Sequence, residues 1–347
     1  MRGWRPRLAV LGSAAAMVAV TGPAPAQGAS SSYVAMGDSY SSGTGTRTYI
    51  SDGTSCQRSV LAYPSLVSAG KGLDLNFRAC SGATVADVTN TQLSSLSTGT
   101  GHVTISVGGN DAGFAGVLTE CAKPAWMSNC NAAIDRAQAY VDNTLPGRLD
   151  TLYGQMRSRA PQANVVVVGY PRIFNGEDCN AFTWFSPTEE ARLNSMADRL
   201  NARTSSRAAA AGFTFSNPTT AFSGHAVCDD PEWINGLSSP VSESYHPNLA
   251  GHRGYAGVVS PSIGSPVPAA TVSQTTLQAQ SEVLGKQQRK HAAKDRLIKP
   301  KSFVAPDLHS AQARAAARAA GVDVEDRASV DAADRRYEKA ELAARND

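Results

Sequence analysis

The chain contains 347 residues, of which 42% are hydrophobic and 18% are charged. It can therefore bury a sizeable core, and disorder throughout is excluded. The net charge of +3 is too small to indicate a nucleic-acid partner. The charges are unevenly placed, because residues 1–26 contribute +3, residues 27–260 contribute −3 and residues 261–347 contribute +3.

The first 26 residues have the pattern of a secretory signal peptide. Three arginines precede an apolar stretch from Leu8 to Val20, and small residues follow up to Ala26. A helix needs roughly 20 apolar residues to cross a bilayer, and this stretch is shorter. We therefore expect cleavage after Ala26 and a secreted, extracellular protein.

All six cysteines lie between the signal peptide and residue 261. An oxidising compartment lets cysteines pair, and the absence of C-x-x-C spacing from the sequence favours three disulfides over a zinc or redox site. Short loops cost the least entropy to close. We therefore predict that sequence neighbours pair, as Cys56–Cys80, Cys121–Cys130 and Cys179–Cys228.

The next part of the chain alternates strand and helix patterns. The strand patterns cover residues 33–36, 102–107, 164–168 and 213–215. The helix patterns cover residues 83–96, 112–121, 132–159 with a break at Pro146-Gly147, and 188–211. Strands separated by such helices indicate parallel β-α-β units. We expect an α/β fold, a three-layer α/β/α sandwich around a parallel sheet, with functional residues at the carboxyl ends of the strands.

The composition changes from about residue 261. The last 87 residues contain 19 alanines and only two aromatic residues, Phe303 and Tyr337, which are too few to build a separate core. We predict a signal peptide at 1–26, one domain at 27–264 and a loosely helical or disordered, Ala-rich charged appendage at 265–347. A wall-binding or partner-binding segment is the alternative. A chain that stops near Gly264 is expected to keep its activity.

Two predicted strands end in turns that contain candidate catalytic residues. Ser39 follows the first strand within G-D-S-Y, where its hydroxyl could lie beside free backbone N–H groups, although a plain β-turn also has this pattern. Asn110 follows a later strand within G-G-N-D, where its amide could donate to a developing oxyanion. Asp38 and Asp111, beside them, are interpreted as acceptors for turn and helix N-termini.

Two further segments contain candidate residues for the same site. Gly82 lies in A-C-S-G-A, and its backbone N–H could join the same oxyanion site. His246 lies in Y-H-P-N at a loop-to-helix junction, from which it could act as a general base. His225 is a second candidate base, which we interpret as structural because it lies near Cys228.

The four blocks, in this order, resemble those of the SGNH hydrolases, the GDSL lipase and esterase family. The resemblance covers about residues 31–260. The six cysteines, the Y-P-R segment at 170–172 and the G-H-A-V-C segment at 224–228 further resemble secreted actinobacterial lipases and phospholipase-A-type enzymes of that family.

The resemblance implies a flavodoxin-like sandwich that hydrolyses carboxylic esters. Ser39 would be the nucleophile and His246 its base, while Ser39, Gly82 and Asn110 would form the oxyanion hole. Lipid or fatty-acyl esters would be the substrates, with phospholipids among them. Neither a metal nor an organic cofactor would be needed, and we expect a monomer that contacts lipid interfaces transiently and binds no nucleic acid.

One position departs from the family pattern. The family usually has Asp three residues before the histidine, and this chain has Glu243. Either the Glu243 carboxylate or the backbone carbonyl of Ser244 could orient the His246 ring, and the sequence leaves both open, with the carbonyl favoured.

Other functions and other pocket residues remain open at this stage. A carbohydrate O-acetylesterase and a non-catalytic SGNH-like surface-binding module are the alternative functions. Four aromatic residues could line an acyl pocket or pack in the core; they are Trp184, Phe185, Trp233 and Tyr245.

Overall fold

The structure, a computed structural model, describes residues 31–264 and 274–346 together with Met1 and Gly3. Most of the predicted signal peptide therefore lies outside the described residues, and the predicted domain boundaries remain predictions. Within the described residues, no helix is both long and apolar enough to cross a membrane.

A five-stranded parallel sheet forms the centre of the fold, in the order β2-β1-β3-β4-β5. The strands are β1 (Ser32–Gly37), β2 (Asp74–Phe77), β3 (His102–Ser106), β4 (Asn164–Val168) and β5 (Thr214–Ser216). The predicted parallel α/β class is confirmed. The sequence patterns missed β2, an edge strand of four residues in which polar positions alternate with buried apolar ones.

Helices flank this sheet. They are α1 (Ser39–Ser42), α2 (Tyr63–Lys71), α3 (Val85–Asp87), α4 (Phe114–Cys121), α5 (Cys130–Asn143), α6 (Leu145–Arg159), α7 (Pro187–Ala210), α8 (Leu249–Val259), α9 (Gln274–Arg289), α10 (Ala292–Asp295), α11 (Ala311–Ala320) and α12 (Arg327–Asn346). α2 packs against α8, whereas α5, α6 and α7 pack on one another.

One predicted helix is more divided than expected, and another is interrupted close to its predicted break at Pro146-Gly147. The pattern at 83–96 is divided among the short α3, a π-helical turn at Val88–Gln92 and a 3-10 turn at Leu93–Ser95. The pattern at 132–159 forms two helices that meet at Thr144. A proline in the first turn of α6 accounts for that break, since it is tolerated there but not inside a helix.

The six cysteines form three disulfides between sequence neighbours. The pairs are Cys56–Cys80, Cys121–Cys130 and Cys179–Cys228. The first of them links the loop after β2 to the segment before α2, next to the turn that contains Gly82.

The described part of the C-terminal tail folds onto the domain. Leu284, Ile298 and Phe303 are buried in the main hydrophobic core, and a second cluster places Ala317 and Val330 among other apolar residues. The composition predicts a loosely helical or disordered appendage. The described tail contains α9, α10, α11 and α12, and it buries its few apolar side chains against the domain instead of building a core of its own.

A buried ion cluster joins the tail to the domain. Asp295 of α10 accepts hydrogen bonds from both Arg58 and Arg78, at 2.6 Å and 2.8 Å. Arg58 also bonds to Asp52, and Arg78 also bonds to Gln288 of α9 at 2.9 Å. The side chains of Arg58, Arg78 and Asp295 are completely buried, so the tail supplies a carboxylate that two buried arginines require.

Candidate active site

Ser39 is the first residue of α1, directly beyond the carboxyl end of β1. The chain turns there through Gly37, whose φ of +115° and close approach to Ser106 leave no room for a side chain: a Cβ would lie 2.2 Å from the Ser106 carbonyl oxygen. Asp38 caps α1 by accepting from the N–H of Tyr40. This turn places Ser39, a residue that is 6% exposed, in the lining of a cleft.

His246 lies on the loop before α8 and bonds to Ser39. Its Nε2 is 2.9 Å from the Ser39 Oγ, and its Nδ1 is 2.9 Å from the Ser244 carbonyl oxygen. A carbonyl oxygen can only accept, so Nδ1 carries the proton and donates to Ser244, and Nε2 accepts from the Ser39 hydroxyl. Burial lowers the pKa of His246 to about 4, against the opposing effect of the Ser244 bond, so the ring is a neutral acceptor at neutral pH.

The Glu243 carboxylate contacts Tyr49 and Arg47 and makes no hydrogen bond to the imidazole. Its Oε1 accepts a 2.6 Å hydrogen bond from the Tyr49 hydroxyl, and its Oε2 lies 3.8 Å from the Arg47 Nε. The side chain is buried, with 2% of its surface exposed. Of the two candidate orienters that the sequence left open, only the Ser244 carbonyl contacts the His246 ring in this structure.

Three donors surround the cleft near the Ser39 hydroxyl. Among the described residues, the backbone N–H groups of Ser39 and Gly82 have no hydrogen-bond partner. The side-chain amide of Asn110 uses one hydrogen on the Ala83 carbonyl oxygen, at 3.1 Å, which leaves its second hydrogen available. Ser39, Gly82, Asn110 and His246 all line the same cleft.

Asp38 and Asp111 satisfy neighbouring donors, as the sequence predicts. Asp38 accepts from the hydroxyls of Tyr170 and Ser106. Burial raises its pKa to about 6, although these hydrogen bonds lower it. Asp111 accepts from the first N–H of α3, that of Val85, at 2.9 Å.

The cleft has an aliphatic wall. α7 supplies four lining residues at helical spacing, which are Leu193, Met196, Ala197 and Leu200; Val141 and Ile173 add to them. The spacing i, i+3, i+4 and i+7 places the α7 residues on one face of the helix. Such a wall suits an extended hydrocarbon chain.

The four aromatic residues considered for an acyl pocket do not line this cleft. Phe185 and Tyr245 are buried in the main core, Trp184 packs with the tail, and Trp233 stacks on His225 at 4.0 Å between ring centroids. The periodic apolar face of α7 is visible in the sequence, but nothing there shows that this face borders the site.

The tail also reaches the cleft, which the sequence analysis did not anticipate. Lys301 and Ser302 are among its lining residues. Pro300 packs against the Gly82 backbone: a Cβ placed on Gly82, whose φ is +83°, would lie 2.4 Å from the Pro300 Cα. Only glycine fits at position 82 for this reason.

The sequence and the fold are similar to those of known proteins. Residues 35–253 match the GDSL-like lipase/acylhydrolase family. Lipase 1 of Streptomyces coelicolor is 46% identical over 247 residues, which are 69% of this chain and 91% of that protein.

Two crystal structures share this fold with a TM-score of 0.62 each. One is an extracellular lipase from Streptomyces rimosus with 42% sequence identity, and the other is phospholipase A1 from Streptomyces albidoflavus with 40%. Each match covers 68% of this chain and 99% of the other. The family match spans more than half of the chain and these relatives reach 40% identity or more, so this protein belongs to the GDSL-like lipase/acylhydrolase family and is a carboxylic ester hydrolase.

Proposed function

We propose that this protein is a secreted lipase or esterase that cleaves fatty-acyl esters of lipids, phospholipids included, through a dyad of Ser39 and His246. The observation that carries the proposal is the hydrogen-bonded series from Ser39 Oγ to His246 Nε2 and from His246 Nδ1 to the Ser244 carbonyl. Ser39 and His246 line a cleft with an aliphatic wall.

In the first half of the reaction, the Ser39 oxygen attacks the ester carbonyl carbon while His246 Nε2 takes the hydroxyl proton. The carbonyl oxygen becomes an oxyanion, to which the N–H groups of Ser39 and Gly82 and the Asn110 amide would donate. The C–O bond to the alcohol then breaks, and the imidazolium returns its proton to the leaving alcohol.

In the second half, water attacks the acyl-Ser39 ester. His246 takes a proton from the water, a second tetrahedral oxyanion forms at the same donors, and the fatty acid leaves as Ser39 regains its proton. The buried imidazole bears the positive charge only transiently, and the Ser244 carbonyl stabilises it through the Nδ1–H bond.

Secretion is part of this proposal. The signal-peptide pattern at residues 1–26 and the three disulfides both fit an oxidising, extracellular compartment. We propose that the protein acts as a monomer and contacts lipid interfaces only transiently.

An acyl chain-length series tests the substrate class. The aliphatic wall predicts that kcat/KM for p-nitrophenyl esters rises from the acetyl ester to medium-chain esters by about tenfold or more, since each buried methylene adds about 0.8 kcal/mol. Short-chain phospholipids assayed in parallel should also be cleaved. A preference for the acetyl ester would contradict the proposal and would favour the carbohydrate O-acetylesterase alternative.

The variant Glu243→Gln separates the two candidate orienters of His246. It keeps the size of the side chain and an oxygen that can accept from Tyr49. If the Ser244 carbonyl is the orienter, kcat/KM should change by less than about threefold, because the variant leaves that carbonyl in place. The loss of a catalytic carboxylate from a triad costs about 10⁴-fold. A loss of that size in a folded variant would show that the Glu243 charge acts on His246.

A further inference from the structure

A short segment of the tail lines the cleft that Ser39 and His246 also line. We call residues 298–303 the strap. Its two ends are buried in the main core, with Ile298 1% exposed and Phe303 5% exposed. The four residues between them are exposed, so both ends hold the strap over the domain while its middle faces solvent and the cleft.

The strap touches both loops that carry the site. Pro300 packs on the backbone of Gly82, and the Phe303 ring lies 4.9 Å from the ring of Tyr245, the residue before His246. Just before the strap, Asp295 is held by the buried Arg58 and Arg78. The strap is therefore fixed to the same part of the domain as the proposed oxyanion hole.

The strap brings a cation to the cleft. Lys301 is the only Lys or Arg among the described residues that line it. No carboxylate in residues 31–264 or 274–346 lies within ion-pair distance of Lys301. Asp38, the one acidic lining residue in that same part of the chain, already accepts from Tyr170 and Ser106.

We propose that Lys301 is a specificity-determining residue that favours esters with an anionic group next to the scissile acyl ester. The inference rests on the proposed function. An ammonium at the edge of an ester cleft would attract a phosphate or a carboxylate of a bound substrate, and the neighbouring Ser302 hydroxyl could donate to the same group. The family match ends at residue 253, so this preference would come from a segment outside the matched region.

The experiment uses the full chain and four soluble hexanoyl esters, each below its critical micelle concentration. They are dihexanoylphosphatidylglycerol, dihexanoylphosphatidylcholine, a hexanoyl ester with a free carboxylate, and neutral dihexanoylglycerol. The variant is Lys301→Met. The matched control is Lys299→Met, which removes the same charge from the strap at an exposed lysine that bonds to the Arg296 carbonyl and does not line the cleft.

Lys301→Met should raise KM and lower kcat/KM for phosphatidylglycerol by about two- to fivefold at low salt, the size expected for an exposed ion pair. The loss should shrink as salt is added. The activity of Lys301→Met on dihexanoylglycerol should stay unchanged. Lys301→Arg should behave like the natural chain, and Lys299→Met should leave kcat/KM unchanged for both substrates. The phosphate and carboxylate esters together show which anion Lys301 recognises.

An equal effect of Lys301→Met on neutral and anionic esters, or an effect matched by Lys299→Met, would overturn the inference. Failure of the proposed function would look different, because the natural chain would then hydrolyse none of the four esters.

Discussion

Replacing Ser39 with alanine is expected to lower kcat for ester hydrolysis by about 10⁴- to 10⁶-fold, since no acyl-enzyme can form without its hydroxyl. His246→Ala should lose a similar factor, because the serine hydroxyl is then left without the base 2.9 Å away. Initial rates on a medium-chain p-nitrophenyl ester, with protein checked for folding by circular dichroism, measure both losses.

The double variant Ser39→Ala/His246→Ala provides the sharper control. Two residues that act as one unit lose little more together than either loses alone. Ser97→Ala, at an exposed serine that does not line the cleft, should retain full activity. A loss of less than about tenfold for His246→Ala would contradict the dyad.

Asp295→Ala is expected to destabilise the protein by about 3–5 kcal/mol, because it leaves buried charges uncompensated. Within the described residues, Arg78 would lose the only carboxylate bonded to it, and Arg58 would keep Asp52 as its one carboxylate partner. Chemical denaturation of the natural chain and the variant measures the difference.

Glu282→Ala is the matched control for this prediction. It removes one negative charge from the tail at an exposed position, so its stability should change by less than about 0.5 kcal/mol. If Asp295→Ala were as mild as the control, the tail would not be part of the folded domain. A chain that stops near Gly264 lacks Asp295 as well. We therefore expect it to be strongly destabilised, whereas composition alone predicts that it keeps its activity.

The sequence predicted which residues meet in the cleft better than it predicted what surrounds them. Ser39 and Asn110 lie in short blocks that each follow a predicted strand, whereas Gly82 lies in a small-residue turn and His246 at a loop-to-helix junction. Parallel strands then bring the ends of β1 and β3 to one edge of the sheet. No single block was sufficient; the order of the four blocks and their resemblance to the family pattern selected these residues together.

The rest depends on tertiary packing that local pattern does not encode. β2 is a short edge strand, and the aliphatic face of α7 could have bordered any apolar neighbour. The packing of the tail on the domain was the least predictable feature. Ile298 and Phe303 are single apolar residues in a polar, Ala-rich segment, and the sequence does not distinguish Asp295 from an ordinary surface charge. Only the buried positions of Arg58 and Arg78 show why the tail is bound to the domain.

Labelling with a fluorophosphonate tests the central claim most directly. The Ser39 oxygen should attack the phosphorus and displace fluoride, so intact mass spectrometry should show one adduct per chain and peptide mapping should place it on Ser39. The adduct should be absent from the Ser39→Ala variant and strongly reduced in His246→Ala. An adduct on another serine, or no adduct on protein that actively hydrolyses esters, would contradict the proposed dyad.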